Sequence, residues 1–150
     1  MHPTAASLQR RLAELGLPIE VVTLTESART AAEAARAVGC DVGQILKSLV
    51  FLRDGAPVVV LCAGDRRVDA ERLGLSRASA EQVREATGFA IGGIPPLGHT
   101  RALETIIDQS LHRFQTVWTA AGTPHDVFEV GVPELIAAIP SAREMDVSPS

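Results

Sequence analysis

With 150 residues, 46% of them hydrophobic, the chain is long enough for one domain with a sizeable buried core. A net charge of -4 and an isoelectric point near 5.5 exclude a protein that coats nucleic acid along its length, so any RNA contact is expected to be local. No apolar run reaches the ~20 residues that span a bilayer, and "MHPTAASLQRR" lacks a signal peptide's apolar segment, so a cytoplasmic location is expected, with neither membrane nor DNA as partner.

In chain order, "TAASLQRRLAELG" places Leu8, Leu12 and Leu15 on one helical face, with Thr4 as cap and Gly16 as stop. "IEVVTL" reads as a short strand. "TAAEAARAVG" has Thr30 and Glu33 at capping-box spacing and ends at Gly39, which predicts a second helix. Two apolar, β-branched runs flank Asp54-Gly55 and predict a hairpin of core strands. Asp69 and Ser79 each open a short helix, and Gly88 closes the second. "ALETIIDQSL", "FQTVWTAAG" and "HDVFEV" read as strands, and "PELIAAI" as a closing helix with proline at its start. The tail "SAREMDVSPS" looks frayed. Cys40 and Cys62, with no secretion signal, are expected to be free thiols.

These strands follow one another without regular helical crossovers, which predicts the α+β class: a curved, mixed sheet with helices packed on it, as a single unit over residues 1–150. A Rossmann reading fails because "GGIPPLG" has the wrong glycine spacing and its prolines would break the helix that must follow. A P-loop reading fails for lack of Gly-Lys-Ser/Thr.

Two features carry chemistry. Along "QILKSLVFL", Ile45, Lys47, Leu49 and Phe51 share one strand face, and Leu46, Ser48, Val50 and Leu52 the other. Lys47 therefore emerges among core residues, where an unpaired ammonium is costly. It is also the only lysine among 14 basic residues. Two readings stand: a lysine that snorkels to solvent near a strand end, or a cleft that needs a compact point charge rather than arginine's planar fork. The second feature is "GFAIGGIPPLGHT". Gly92 and Gly93 let the backbone take φ > 0 and approach a ligand closely, while Pro95 and Pro96 stiffen the segment. An ordinary rigid turn is the plain alternative.

"ILKSLVF", "GFAIGGIPPLGH", "IIDQSL" and "VWTAAGT" resemble, in that order, the YbaK/ProRS-associated editing-domain family of aminoacyl-tRNA deacylases, over about residues 20 to 139. The resemblance implies a barrel-like mixed sheet with flanking helices and hydrolysis of the ester joining a wrong amino acid to tRNA, commonly proline tRNA. It also implies a site made by a strand lysine, here Lys47, and a Gly-x-x-x-Pro loop, here Gly92 to Pro96. Lys47, Gly92, Gly93 and Pro96 are thus the expected catalytic set. Lys47 would anchor the terminal nucleotide or its phosphate, and loop amides would hold the ester carbonyl as charge develops on it. In this family the vicinal 2′-hydroxyl of the terminal adenosine is implicated in activating or positioning the water.

Ser48, Ile94, His99, Ala120, Gly122 and His125 are the candidates for substrate contact. Ser48 points away from Lys47 if the strand is regular, which disfavours a Ser-Lys dyad, and no general base stands out. No CxxC, HExxH or close His/Cys/Asp cluster occurs, so no metal or other cofactor is expected. Two departures from the cysteine-specific branch stand out: Ala120 and Ala121 precede Gly122 where a serine is usual, and Val127 stands in for an aspartate. Alanine, 2-aminobutyrate, serine, threonine and cysteine therefore all remain open as the amino acid removed. The expected partners are the acceptor end of mischarged proline tRNA, met by Lys47 with Arg66, Arg67 or Arg101, and a prolyl-tRNA synthetase. The alternatives are a non-catalytic module that binds acceptor ends or a synthetase, and hydrolysis of another small acyl ester.

Overall fold

In the computed structural model, which describes residues 1–148, helix α1 (Pro3–Glu14) starts two residues earlier than a Thr4 cap implies. Pro3 fits the first helical position because its missing N–H has no intrahelical role there, and the Nδ1 of His2, not Thr4, caps the helix by accepting from the Thr4 amide. Leu15 lies at the C-cap and is 57% exposed, so only Leu8 and Leu12 of the predicted stripe are buried. Strand β1 (Val21–Thr23) leads to α2 (Ala31–Val38), which carries the expected Thr30–Glu33 capping box and ends at left-handed Gly39. Strands β2 (Ile45–Arg53) and β3 (Ala56–Ala63) form the hairpin, with Asp54 and Gly55 both at positive φ.

The segment after Asp69 is a pair of turns rather than a helix. Gly74, at φ +70°, stops it after a single Leu73 N–H to Asp69 carbonyl bond. Strand β4 (Ser76–Arg77), unforeseen in the sequence, precedes α3 (Ala80–Thr87), which is capped by Ser79 and closed by Gly88. Strand β5 (Glu104–Asp108) ends sooner than expected because the Asp108 carboxylate accepts from the Ser110 amide and turns Gln109–Arg113 into a 3-10 helix. Strands β6 (Thr116–Thr123) and β7 (Asp126–Gly131) form the second hairpin, and α4 (Val132–Ala138) follows with Pro133 in its first turn. The expected frayed tail contains strand β8 (Arg143–Met145) and a fully buried Val147; Pro149 and Ser150 lie outside the described residues.

The strands make one curled, mixed sheet in the order β1-β7-β6-β2-β3-β5-β8, with β4 also on β2. β3 is its spine. Val58, Val60 and Cys62 face one layer and Val59, Leu61 and Ala63 the other, all fully buried. α1 and α4 cover the second layer through Leu8, Leu12 and Leu135, while Leu75, Ile106 and Val147 close the first. The expected α+β class and curved, barrel-like sheet are borne out.

Candidate functional site

The sheet is split beside Lys47. β2 and β6 run parallel but pair only at Ile45 with Trp118 and Leu46 with Thr119, after which they part. Further along the same edge, β4 takes up pairing at Phe51 and Leu52. From Lys47 to Val50 that edge of β2 has no strand partner, and a cleft of about 810 Å³ opens there. Its volume is that of a small-molecule site, and it lies where the parallel strands β2 and β6 diverge.

Lys47 lines this cleft, half-buried, and its Nζ donates to the Arg66 carbonyl at 2.9 Å. An ammonium has three donors, and no salt bridge to Lys47 occurs among the described residues. Cys62, its neighbour across the hairpin, is no nucleophile: burial pushes its thiol up to about 12, against the pull of the Lys47 charge, so it stays protonated. Ser48 also lines the cleft, from the opposite face of β2, as the alternation requires.

The loop from Gly92 to Leu97 contributes two residues to the cleft's lining. Gly92 is exposed at φ +95° and lines the cleft, as does buried Ile94. Gly93 is buried, and its amide donates to the Ala90 carbonyl. Since Pro95 and Pro96 have no N–H, Gly92 and Ile94 are the cleft-lining loop residues with amides outside the backbone hydrogen bonds of the described residues. Pro96 is buried and does not line the cleft. His99 braces the loop from behind, with Nε2 2.8 Å from the Pro95 carbonyl, and does not line the cleft. Burial, opposed by that carbonyl and assisted by Arg11, holds its pKa below the usual histidine range.

On the far wall, Ala120 lines the cleft with Thr119 and Val127. Gly122 supports the loop instead, and exposed His125 sits outside the cleft with its amide on the Thr123 hydroxyl. Reading the aspartate as replaced by Val127 missed its neighbour. Asp126, 1% exposed, accepts from the Thr123 hydroxyl at 2.6 Å and the Thr23 hydroxyl at 2.7 Å. Burial would raise its pKa, but these hydrogen bonds and the nearby N-terminus lower it on balance. Its pairing with Thr123 ties down the β6–β7 turn. Among the described residues the cleft's other cations are Arg29 and Arg77 rather than Arg66, Arg67 or Arg101, and no acidic residue lines it.

Fold and cleft together define an α+β domain with a cleft of small-molecule size between two parting strands, lined among the described residues by cations and no carboxylate. Among solved structures, a candidate trans-editing enzyme for prolyl tRNA synthetase is 42% identical at a TM-score of 0.92, covering 100% of this chain and 99% of that one. Hypothetical protein APE2540 is 28% identical at 0.84, covering 95% and 99%. The uncharacterized protein YwhH of Bacillus subtilis is 33% identical over 77% of this chain and 78% of its own length. A proline–tRNA ligase of Maridesulfovibrio salexigens is 30% identical over 68% of this chain, which spans only 18% of that ligase. The family model of the aminoacyl-tRNA editing domain matches residues 25–138. The chain belongs to the aminoacyl-tRNA editing domain family, as its YbaK-like motifs imply, and an aminoacyl-tRNA editing role follows from that membership.

Proposed function

We propose that the chain is a single-domain deacylase that acts in trans on mischarged tRNA, removing a small amino acid from proline tRNA by direct attack of water on the ester. One observation carries the reading: the only lysine of the chain lines the same cleft as Gly92 and Ile94 of the glycine-proline loop, while Gly93 and Pro96 lie outside its lining, although 45 residues separate Lys47 from Gly92. The likeness to a candidate trans-editing enzyme for prolyl tRNA synthetase supports proline tRNA as the carrier.

Lys47 holds the terminal nucleotide or its phosphate through the donors left free by the Arg66 carbonyl. The amides of Gly92 and Ile94 point the ester carbonyl and receive the negative charge that forms on its oxygen, a contribution of about 3 kcal/mol per donor where such groups have been removed. Water adds to the carbonyl carbon, the bond to the ribose oxygen breaks, and that oxygen leaves as a hydroxyl with a proton from the water. The products are free amino acid and uncharged tRNA. With no side chain here built as a base, the protein's part is positioning.

The test is a deacylation panel: proline tRNA charged with alanine, serine, threonine, cysteine or 2-aminobutyrate, beside the free amino-acid esters. Cleavage of one or more charged tRNAs well above the free esters supports the reading. Tight binding of the acceptor end without cleavage would instead mark a non-catalytic module.

A further inference from the structure

Resting on the deacylase reading above, we propose that Ser48 and Thr119 are the specificity element of the cleft, and that the amino acid it accepts carries a side-chain hydroxyl, as in a seryl or threonyl ester. The two residues stand where the sheet splits. Thr119 pairs with Leu46, the last paired position of β2 on that edge, and Ser48 lies two residues on. Both line the cleft, at 9% exposure for Ser48 and 2% for Thr119, and neither hydroxyl has a hydrogen-bond partner among the described residues.

The other hydroxyls of the lining are committed. Thr30 accepts from the Glu33 amide in the capping box of α2, and Thr123 donates to Asp126. Ser48 and Thr119 thus remain as the lining hydroxyls without a partner among the described residues, in a wall that also holds apolar residues, the Trp118 indole and three cations. A buried hydroxyl left unpaired is destabilising, and alanine or valine, both abundant in the neighbouring strand positions, would avoid the loss. The arrangement is explained by a ligand that both donates and accepts there. A hydroxyl does so; a methyl leaves both groups orphaned. Sites that hydrogen-bond a substrate hydroxyl reject the analogue lacking it far better than an apolar pocket separates substrates that differ by one methylene.

Single-turnover rates on proline tRNA charged with serine, threonine or alanine test this, with Ser48→Ala, Thr119→Val, the double variant and Thr119→Ser. Wild type is expected to cleave the seryl or threonyl ester about 10- to 100-fold faster than the alanyl ester. The ratio falls toward one in the double variant and is kept in Thr119→Ser. Melting temperatures of the variants stay level or rise, since each removes an unpaired buried group. Equal rates on seryl and alanyl esters by wild type would overturn the proposal. So would a fall by one common factor on every ester in the variants, which would mean that the hydroxyls hold a group shared by all aminoacyl esters, such as the α-amino group. A folded wild type inert on all charged tRNAs defeats the deacylase reading itself, an outcome distinct from activity that ignores the hydroxyl.

Discussion

Gly93 rests on the main chain of Gly122: a Cβ built on Gly93 would lie 2.8 Å from both the carbonyl carbon and the carbonyl oxygen of Gly122. Backbone cannot swing aside as a flexible side chain can. The cleft-lining loop is therefore seated on the irregular end of the β6–β7 hairpin, where the pairing shifts register between Ala120 and Thr123. Asp126, through Thr123, holds that seat in place.

The two neighbouring glycines should then respond differently to alanine. Gly93→Ala must lift the loop from Gly122, so both stability, by about 1–3 kcal/mol, and deacylation should fall. Gly92→Ala meets open space and has only its positive φ to strain, about 1–2 kcal/mol. Its effect should appear in the rate constant, about 10- to 1000-fold, by tilting a cleft-lining amide. Melting curves with single-turnover rates per folded molecule check both. A Gly92→Ala protein that cleaves at the wild-type rate would make the loop scaffold alone.

His99 should contribute a pH-dependent share of stability. The Pro95 carbonyl only accepts, so the neutral ring donates from Nε2, and burial keeps its folded pKa below the unfolded value. The unfolded chain then binds the proton more readily, so the stabilisation is complete above about pH 6.5 and is lost as pH falls through the folded value. Urea midpoints measured from pH 8 to pH 5 should drop more for wild type than for His99→Gln. Parallel curves would show that His99 is not the group responsible.

RNA binding should depend only weakly on salt. Arg29 and Arg77 line the cleft with Lys47, and neither makes an ion pair among the described residues. With a net charge of -4 over the whole chain opposing wider contact, log affinity against log salt should have a slope equivalent to roughly two to four phosphates. Arg77→Ala should lower that count by about one. A slope typical of an extended RNA binder, or no change on removing Arg77, would contradict this.

Much of the fold was legible because local signals agree with the tertiary context. Thr30–Glu33, Ser79, Asp54-Gly55 and the β-branched runs of β2 and β3 each specify their element within a few residues. What escaped depends on partners far away in sequence. Ser76–Arg77 is a strand only because β2 offers a free edge beside Phe51, and Arg143–Met145 only because β5 does. Lys47 stood out by composition and alternation, but the cleft beside it did not. The gap arises where β2 and β6 stop pairing, and strand patterns do not encode where a parallel neighbour departs. Asp126 was missed for a similar reason, since its hydroxyl partners Thr23 and Thr123 come from two different strands.

Single-turnover hydrolysis of mischarged proline tRNA by wild type and Lys47→Ala tests the central claim most directly. The substitution removes one hydrogen bond, to the Arg66 carbonyl, and relieves a half-buried charge, so the melting temperature should stay near wild type. Cleavage should fall by about 100-fold or more through lost positioning, and Lys47→Arg should recover little of it because a planar fork does not replace a point charge. A stable Lys47→Ala protein that deacylates at the wild-type rate would contradict the account.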